Sequence, residues 1–265
     1  MPSHTLRRRS PVGEGDDLKS NVVVVTGASS GIGAALAEIA ASRGASVVLV
    51  ARRAPELRAA AEKCGPSALA IVADVSIRDE VRRVVREALQ HFDHVDVWVN
   101  NVGRGISRMP SELTDDDIDA VMQVNVKSAI YGMQEILPHF RERGEGQIVN
   151  VSSMLGRVPF AVFRSAYNGS KHFLNAITAN FRMEHAENYP GIVFSLVSPG
   201  VVRTEFGKNA MHGGPDSREL PYSQSAEEAA LVIADVIESR REDVYTRAGS
   251  RERVVEYYSK VGEDP

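Results

Sequence analysis

The sequence predicts an α/β protein: a doubly wound parallel sheet of about seven strands with helices on both faces, in a single domain. Three observations carry this. Short β-branched runs recur along the chain and are apolar throughout rather than at alternate positions, the mark of strands buried on both faces. Helix-length stretches with apolar residues three and four apart separate them. No linker, repeat or low-complexity block interrupts the alternation, and right-handed crossovers assemble such a chain into one sheet. A length of 265 residues suits one core of this kind.

In chain order, residues 1–19 read as a flexible tail. They hold Arg7-Arg8-Arg9, then Glu14, Asp16 and Asp17, without the apolar core that a secretory signal needs. Strands are expected at 21–26, 46–51, 68–73, 95–99, 147–151 and 192–197, with a short one near Val244. Ile32, Leu36, Ile39 and Ala40 define a first helix, and Val81, Val84, Val85, Ala88 and Leu89 a later one. Long helices are expected over 115–139 and 166–188, another near 226–238, and a helical piece at the end. Residues 205–224 carry glycines and prolines but no sustained apolar period. Irregular segments of that length in compact domains are commonly lids or binding loops, so Phe206, Met211 and His212 are candidates to touch substrate.

Composition narrows the function classes. A net charge of −4 argues against a nucleic-acid surface, and no apolar run approaches the roughly 18 residues of a membrane span. The single cysteine, Cys64, can form no internal disulfide and fits no zinc pattern. A reducing, cytoplasmic setting without a metal is therefore expected.

The first strand runs into Thr26-Gly27-Ala28-Ser29-Ser30-Gly31-Ile32-Gly33, where a helix begins. Glycines let backbone approach a ligand, and a helix N-terminus offers open N–H groups to a pyrophosphate. The second strand ends in Arg52-Arg53, where NAD-selective sheets place a carboxylate. A guanidinium there pairs with a 2′-phosphate, so NADP(H) is the preferred cofactor and NAD(H) a possible one. Arg52 is the main candidate; Arg53 reads equally as the solvated start of the next helix. Asp74-Val75 ends the third strand, either beside the adenine or as a helix cap.

Tyr167 and Lys171 stand four apart at the start of a helix and share a face. An ammonium beside a phenol favours the phenolate, which suits proton exchange with an alcohol or carbonyl. Ser152-Ser153 add hydroxyls at the carboxyl end of the fifth strand, with substrate holding and turn capping both open. Asn125 lies mid-helix, where a poor helix former needs a partner if buried.

Taken together these motifs resemble those of the short-chain dehydrogenase/reductase family, in its compact single-domain branch. Thr26-Gly27 through Gly33, Asp74-Val75, Asn100-Asn101-Val102-Gly103, Asn125, Ser152-Ser153, Tyr167 with Lys171, and Ser198-Pro199-Gly200-Val201-Val202-Arg203-Thr204 match in order across nearly the whole chain. The resemblance implies an oxidoreductase acting on CH–OH or carbonyl groups of a small alcohol or ketone. Tyr167 would be the acid/base, Ser153 (with Ser152 second) the residue that polarises the substrate oxygen, and Lys171 the partner of tyrosine and nicotinamide ribose. Asn125 would hold a relay water. Gly27, Ser29, Ser30, Gly31, Ile32, Gly33, Arg52, Arg53, Asp74, Val75, Asn101, Val102 and Gly103 would line the cofactor, with Pro199, Gly200, Val202 and Thr204 at its nicotinamide end. A homodimer or homotetramer would follow from helix contacts using Ile130, Met133, Phe173 and Ile177. Three positions depart from the family pattern: Val102 replaces its usual alanine, the step from Ser153 to Tyr167 is one residue longer, and Ser30 stands where some NADP-selective members carry a base. A nucleotide-sensing regulator and a sugar-nucleotide epimerase or dehydratase are the competing readings. The intact Tyr–Lys pair speaks against the first, and the roughly sixty residues after Gly200 against the second.

Overall fold

The computed structural model describes residues 18–262. Seven strands, β1 (Val22–Thr26), β2 (Ser46–Ala51), β3 (Ala68–Val72), β4 (Val97–Asn100), β5 (Gly146–Val151), β6 (Ile192–Ser198) and β7 (Asp243–Tyr245), form the sheet. They pair in parallel throughout, in the order β3-β2-β1-β4-β5-β6-β7. The order reverses between β1 and β4, the switch point where open α/β sheets hold their ligands.

The helices are α1 (Gly31–Ser42), α2 (Ala54–Cys64), α3 (Arg78–Phe92), α4 (Asp115–Met122), α5 (Ser128–Arg143), α6 (Ser165–His185), α7 (Ala226–Ser239) and α8 (Ser250–Tyr258). Strand residues alternate between two cores, as the pleat requires. Val23, Val25, Val47, Leu49 and Val99 pack with Leu36, Leu57 and Ile233 of α1, α2 and α7. Val22, Val24, Val48, Val50 and Trp98 pack with Val84, Ile136 and Phe181 of α3, α5 and α6. Both faces are thus covered, which explains the continuous apolar strands.

Several expectations shift. The tail expected at 1–19 lies outside the described residues up to 17, but Leu18 is buried and donates its N–H to the Arg43 carbonyl at 3.2 Å. The long helix expected over 115–139 is α4 and α5 joined by a π-helical turn, Gln123–Lys127, and it continues past Pro138 to a left-handed Gly144 cap. The other long helix covers Ser165–His185 rather than 166–188. Met133 is fully buried in the core and leaves the proposed subunit contact, whereas Phe173 is exposed; Ile130 and Ile177 pack partly against the same core.

Candidate active site

The turn after β1 is built for close approach. Gly27 and Gly31 both take positive φ, +69° and +58°. A Cβ on Gly33 would stand 2.4 Å from the Gly27 carbonyl oxygen and 2.6 Å from Asn101 Nδ2, so the turn closes only around glycine. Asn101 secures it, donating its side-chain N–H to the Thr26 carbonyl at 3.0 Å and its backbone N–H to Thr26 Oγ1 at 3.0 Å. Ser30 caps α1 without a side-chain bond, so the first-turn N–H groups of α1 remain available to an anion. A Cβ on Gly31 would lie 3.1 Å from Thr204 Cγ2, which brings the segment after β6 against the turn.

At the other end the two arginines exchange emphasis. Arg52 is largely exposed and pairs with Asp74 at 3.4 Å. Arg53 donates from Nη2 to Ser29 Oγ at 3.1 Å and Ser30 Oγ at 2.9 Å, so its guanidinium leans onto the glycine turn. It also stands at the N-cap of α2, the helix-start reading of this residue. Asp74 does not cap α3, whose N-cap is Ile77. Its carboxylate accepts from the Ser76 hydroxyl at 2.7 Å and the Ser76 N–H at 3.0 Å. Burial alone would raise that carboxyl, but Ser76 and Arg52 outweigh it and hold it below the ordinary range.

At the carboxyl end of β5, the two serines divide. Ser152 Oγ donates to Asn175 Oδ1 at 2.5 Å, a structural bond. Ser153 turns the other way, caps a short 3-10 turn through the Leu155 N–H at 3.1 Å, and hydrogen-bonds the Tyr167 phenol. Tyr167 is buried, and burial pushes its pKa up, against the pull of Ser153 and of the Arg164 cation. Lys171 Nζ lies 5.8 Å from the Tyr167 ring centroid and donates to the Val151 carbonyl at 2.9 Å. Burial lowers its pKa to about 8. The lowering expected from Lys171 is therefore not present: the tyrosine is raised by burial, and Ser153 and Arg164 only partly oppose it.

Asn125 sits in the π-helical turn, 1 % exposed. Its Oδ1 accepts from the Arg104 N–H at 2.6 Å, and its Nδ2 donates to the Arg104 carbonyl at 3.0 Å and to Ser170 Oγ at 3.0 Å. The partner that a buried mid-helix asparagine requires is thus the loop after β4. A Cβ on Gly103 would stand 3.5 Å from Lys171 Nζ and 3.7 Å from Asn125 Oδ1, so the two face one small gap left by the absent side chain.

Of the predicted catalytic and cofactor residues, all but Gly33 and Asn125 line one cleft of about 1690 Å³, and of the predicted substrate contacts Phe206 does. Val75, Val102 and Ile32 supply apolar wall, while Pro199, Gly200 and Val202 follow β6 along its rim. The segment 205–224 folds over this cleft. The Phe206 ring meets that of Tyr167 edge-on at 5.5 Å. Met211 is stitched to the body through its N–H on the Gly105 carbonyl and its carbonyl on the Ser107 N–H, both 2.9 Å, and does not line the cleft. His212, expected near substrate, turns away to Asp117 Oδ1 at 2.6 Å.

A buried charge in the cleft escaped the sequence reading. Arg164, three before Tyr167, is 7 % exposed and lines the same cleft. Its only signal was a lone cation closing the apolar run 158–163. No cluster of three or more metal-ligating side chains exists among the described residues, and no described helix is long and apolar enough to cross a membrane.

Residues 21–213 match the family model for short chain dehydrogenases. An uncharacterized oxidoreductase of Staphylococcus saprophyticus is 35 % identical over 191 residues, 72 % of this chain and 77 % of that one. Among solved structures, a 3-ketoacyl-(acyl-carrier-protein) reductase from Brucella melitensis complexed with NADH superposes with a TM-score of 0.79 at 28 % identity, covering 88 % of this chain and 99 % of that one. An alcohol dehydrogenase from Thermococcus sibiricus complexed with 5-hydroxy-NADP gives 0.75 at 25 % identity, covering 87 % and 97 %.

Proposed function

The chain belongs to the short-chain dehydrogenase/reductase family and is an oxidoreductase of CH–OH or carbonyl groups, and from that premise we propose that it works with NADP(H) in preference to NAD(H), with Tyr167 as acid/base. The juxtaposition of Ser153, Tyr167 and Lys171 on one wall of the cleft carries this reading. The residues present fit a dinucleotide. The glycine turn leaves a cradle that a Cβ would fill, and Lys171 is a buried cation whose hydrogen bond is to a backbone carbonyl. When bound, the nicotinamide supplies the hydride in reduction and accepts it in oxidation.

The chain's own residues manage the proton. The Ser153 hydroxyl holds the substrate oxygen, and the Tyr167 O–H gives its proton to that oxygen as the carbonyl carbon gains the hydride. Oxidation runs the same transfers backwards. Lys171 and Asn125, facing the gap at Gly103, return a proton to Tyr167 through a water held between them, while the Lys171 ammonium also binds ribose hydroxyls. Phe206, set against Tyr167, excludes water from the reacting carbon.

The nucleotide preference rests on Arg53, because its guanidinium already bridges to the serines of the phosphate turn. A charge-assisted pair is worth about 1.5–3 kcal/mol, or roughly 10- to 100-fold in affinity. Arg53→Ala is expected to weaken NADPH by that factor and NADH by less than about threefold, in a titration of cofactor fluorescence. Arg52→Ala should do less, since Arg52 is exposed and tied to Asp74. Equal weakening of both cofactors sinks the preference.

The segment 205–224 is the lid of the site. It contributes few buried apolar side chains, so its backbone should exchange amide hydrogens fast in the free protein and slowly with NADPH and substrate together. Unchanged exchange on ligand binding would show it to be a surface loop.

A further inference from the structure

Four titratable side chains are buried among the described residues with relative exposures below 8 %, apart from Tyr167: Asp117, Arg164, Lys171 and His185. Asp117 is satisfied by Arg108, His212 and the Thr114 N–H. His185 bonds the Phe181 carbonyl and meets Arg141. The proposed cofactor accounts for Lys171. Arg164 is left over. Its ion pairs with carboxylates among the described residues number none; its polar contact is one N–H donated to the Ile106 carbonyl at 3.3 Å, and its Cζ lies 5.2 Å from the Phe163 ring centroid. One bond out of five N–H groups leaves a desolvated guanidinium short of partners. Burial correspondingly pushes its pKa below the ordinary arginine value.

Backbone and side chains from other elements close tightly around the Arg164 guanidinium. A Cβ on Gly105 would stand 3.0 Å from its Nη1 and 3.1 Å from Phe206 Cε1, and one on Gly214 would stand 3.0 Å from its Nη2 and 2.7 Å from Ser107 Oγ. The Ser107 hydroxyl is itself buried with no hydrogen-bond partner. Two underused donors, one cationic, therefore stand close together beside the Phe206 ring that also packs on Tyr167, and of the two Arg164 lines the cleft. At the mouth of the same cleft Phe160 and Tyr222 are exposed, 58 % and 78 %.

We propose that Arg164 is the carboxylate-binding residue of a substrate subsite, so that the substrate is an oxo acid or hydroxy acid with an apolar body whose carboxylate lies one or two carbons from the reacting carbon. This rests on the oxidoreductase reading of the cleft. Arg164 precedes Tyr167 by one helical turn, and both flank Phe206, which sets the short spacing between the charged group and the carbonyl. A planar carboxylate matches the guanidinium fork and supplies acceptors for the N–H groups that lack them. The exposed aromatic mouth receives the apolar remainder of the molecule.

Matched pairs test it: 2-oxo-4-phenylbutanoate and 3-oxo-3-phenylpropanoate, each against its ethyl ester, with NADPH as reductant. The wild-type protein is expected to favour at least one acid over its ester by tenfold or more in kcat/KM. Arg164→Met, which keeps volume and removes charge, should cost that acid at least 30-fold and bring the acid-to-ester ratio to one or below; Arg164→Lys should recover part of the ratio. The ratio cancels any effect of Arg164 on Tyr167, because both substrates use the same acid. Preference for the esters, or an equal loss on both members of a pair, overturns the subsite and leaves the oxidoreductase reading standing. If neither pair reacts, the reaction reading is what has failed, and the subsite is still decided by unreactive ligands read through fluorescence of bound NADPH or, without it, by calorimetry. There 3-phenylpropanoate should bind at least tenfold tighter than 3-phenylpropanamide in the wild type and not in Arg164→Met, whose fold is verified by its melting temperature. Equal binding of acid and amide overturns the proposal, and tighter binding of 2-phenylethyl phosphate than of the acid reassigns the anion to a phosphoryl group.

Discussion

Tyr167→Phe should lower turnover by about 10³-fold while leaving NADPH affinity within about threefold of wild type. General acid–base catalysis by a positioned group contributes roughly 10²–10⁴-fold, and the variant removes that group and little else. The ring keeps its edge contact with Phe206, 5.5 Å between centroids, and its place 5.8 Å from Lys171 Nζ. What disappears is a buried hydroxyl whose proton Ser153 and Arg164 make easier to release than burial alone would allow. The Ser153 hydroxyl loses one partner and keeps the Leu155 N–H. Steady-state rates and a cofactor titration on the same preparation check both halves. More than a tenth of wild-type turnover in the Phe variant overturns the assignment of Tyr167.

Lys171→Met should abolish turnover, weaken NADPH about tenfold, and at the same time make the cofactor-free protein more stable at pH 7. The sign follows from linkage. A lysine is protonated up to about 10.5 when unfolded and up to about 8 in this fold. Folding therefore strains against the bound proton below pH 8, and that cost fades as pH rises from 8 to 10.5. The gross penalty is about 3 kcal/mol. The Val151 carbonyl, which accepts the lysine at 2.9 Å, loses its partner in the variant and takes back about 1 kcal/mol. A net gain of about 2 kcal/mol raises the melting temperature by roughly 4–8 °C at pH 7, with the difference shrinking toward pH 10. Methionine fills the same channel beside Gly156, whose missing Cβ would stand 2.8 Å from that of Lys171. An equal or lower melting temperature at pH 7 would show that the buried ammonium costs the free protein nothing. Such a cost is expected where a group is kept for binding and chemistry rather than for the fold.

The sheet was legible because its strands are buried on both faces, which forces runs such as Val22–Val25 and Val47–Val50 to be apolar at every position. The glycine turn was legible because Gly27 and Gly31 need positive φ and Gly33 has backbone 2.4 Å from where a Cβ would be. The pairing of Tyr167 with Lys171 followed from four-residue spacing on a helix. These are local constraints, written in neighbouring residues.

Other features depend on what comes to lie against a residue from far along the chain. The π-helical turn at Gln123–Lys127 differs from α-helix by one residue per turn, too little for apolar periodicity to register, and Asn125 gains its meaning from Arg104, 21 positions away. Neighbours at a strand end diverge, so only the folded chain separates Ser153 from Ser152 and turns Arg53, more than Arg52, onto the glycine turn. Arg164 is the strongest case. An arginine in a sequence reads as a solvated charge, because leaving water is costly unless something replaces it. The packing of Gly105, Phe206 and Gly214 around its guanidinium takes the water away, and that arrangement spans loops some forty to sixty residues distant in the chain. The sheet, the glycine turn and the pairing of Tyr167 with Lys171 are thus written in the chain itself, whereas which charges are desolvated is set by tertiary packing, because desolvation is a property of surroundings that no single segment contains.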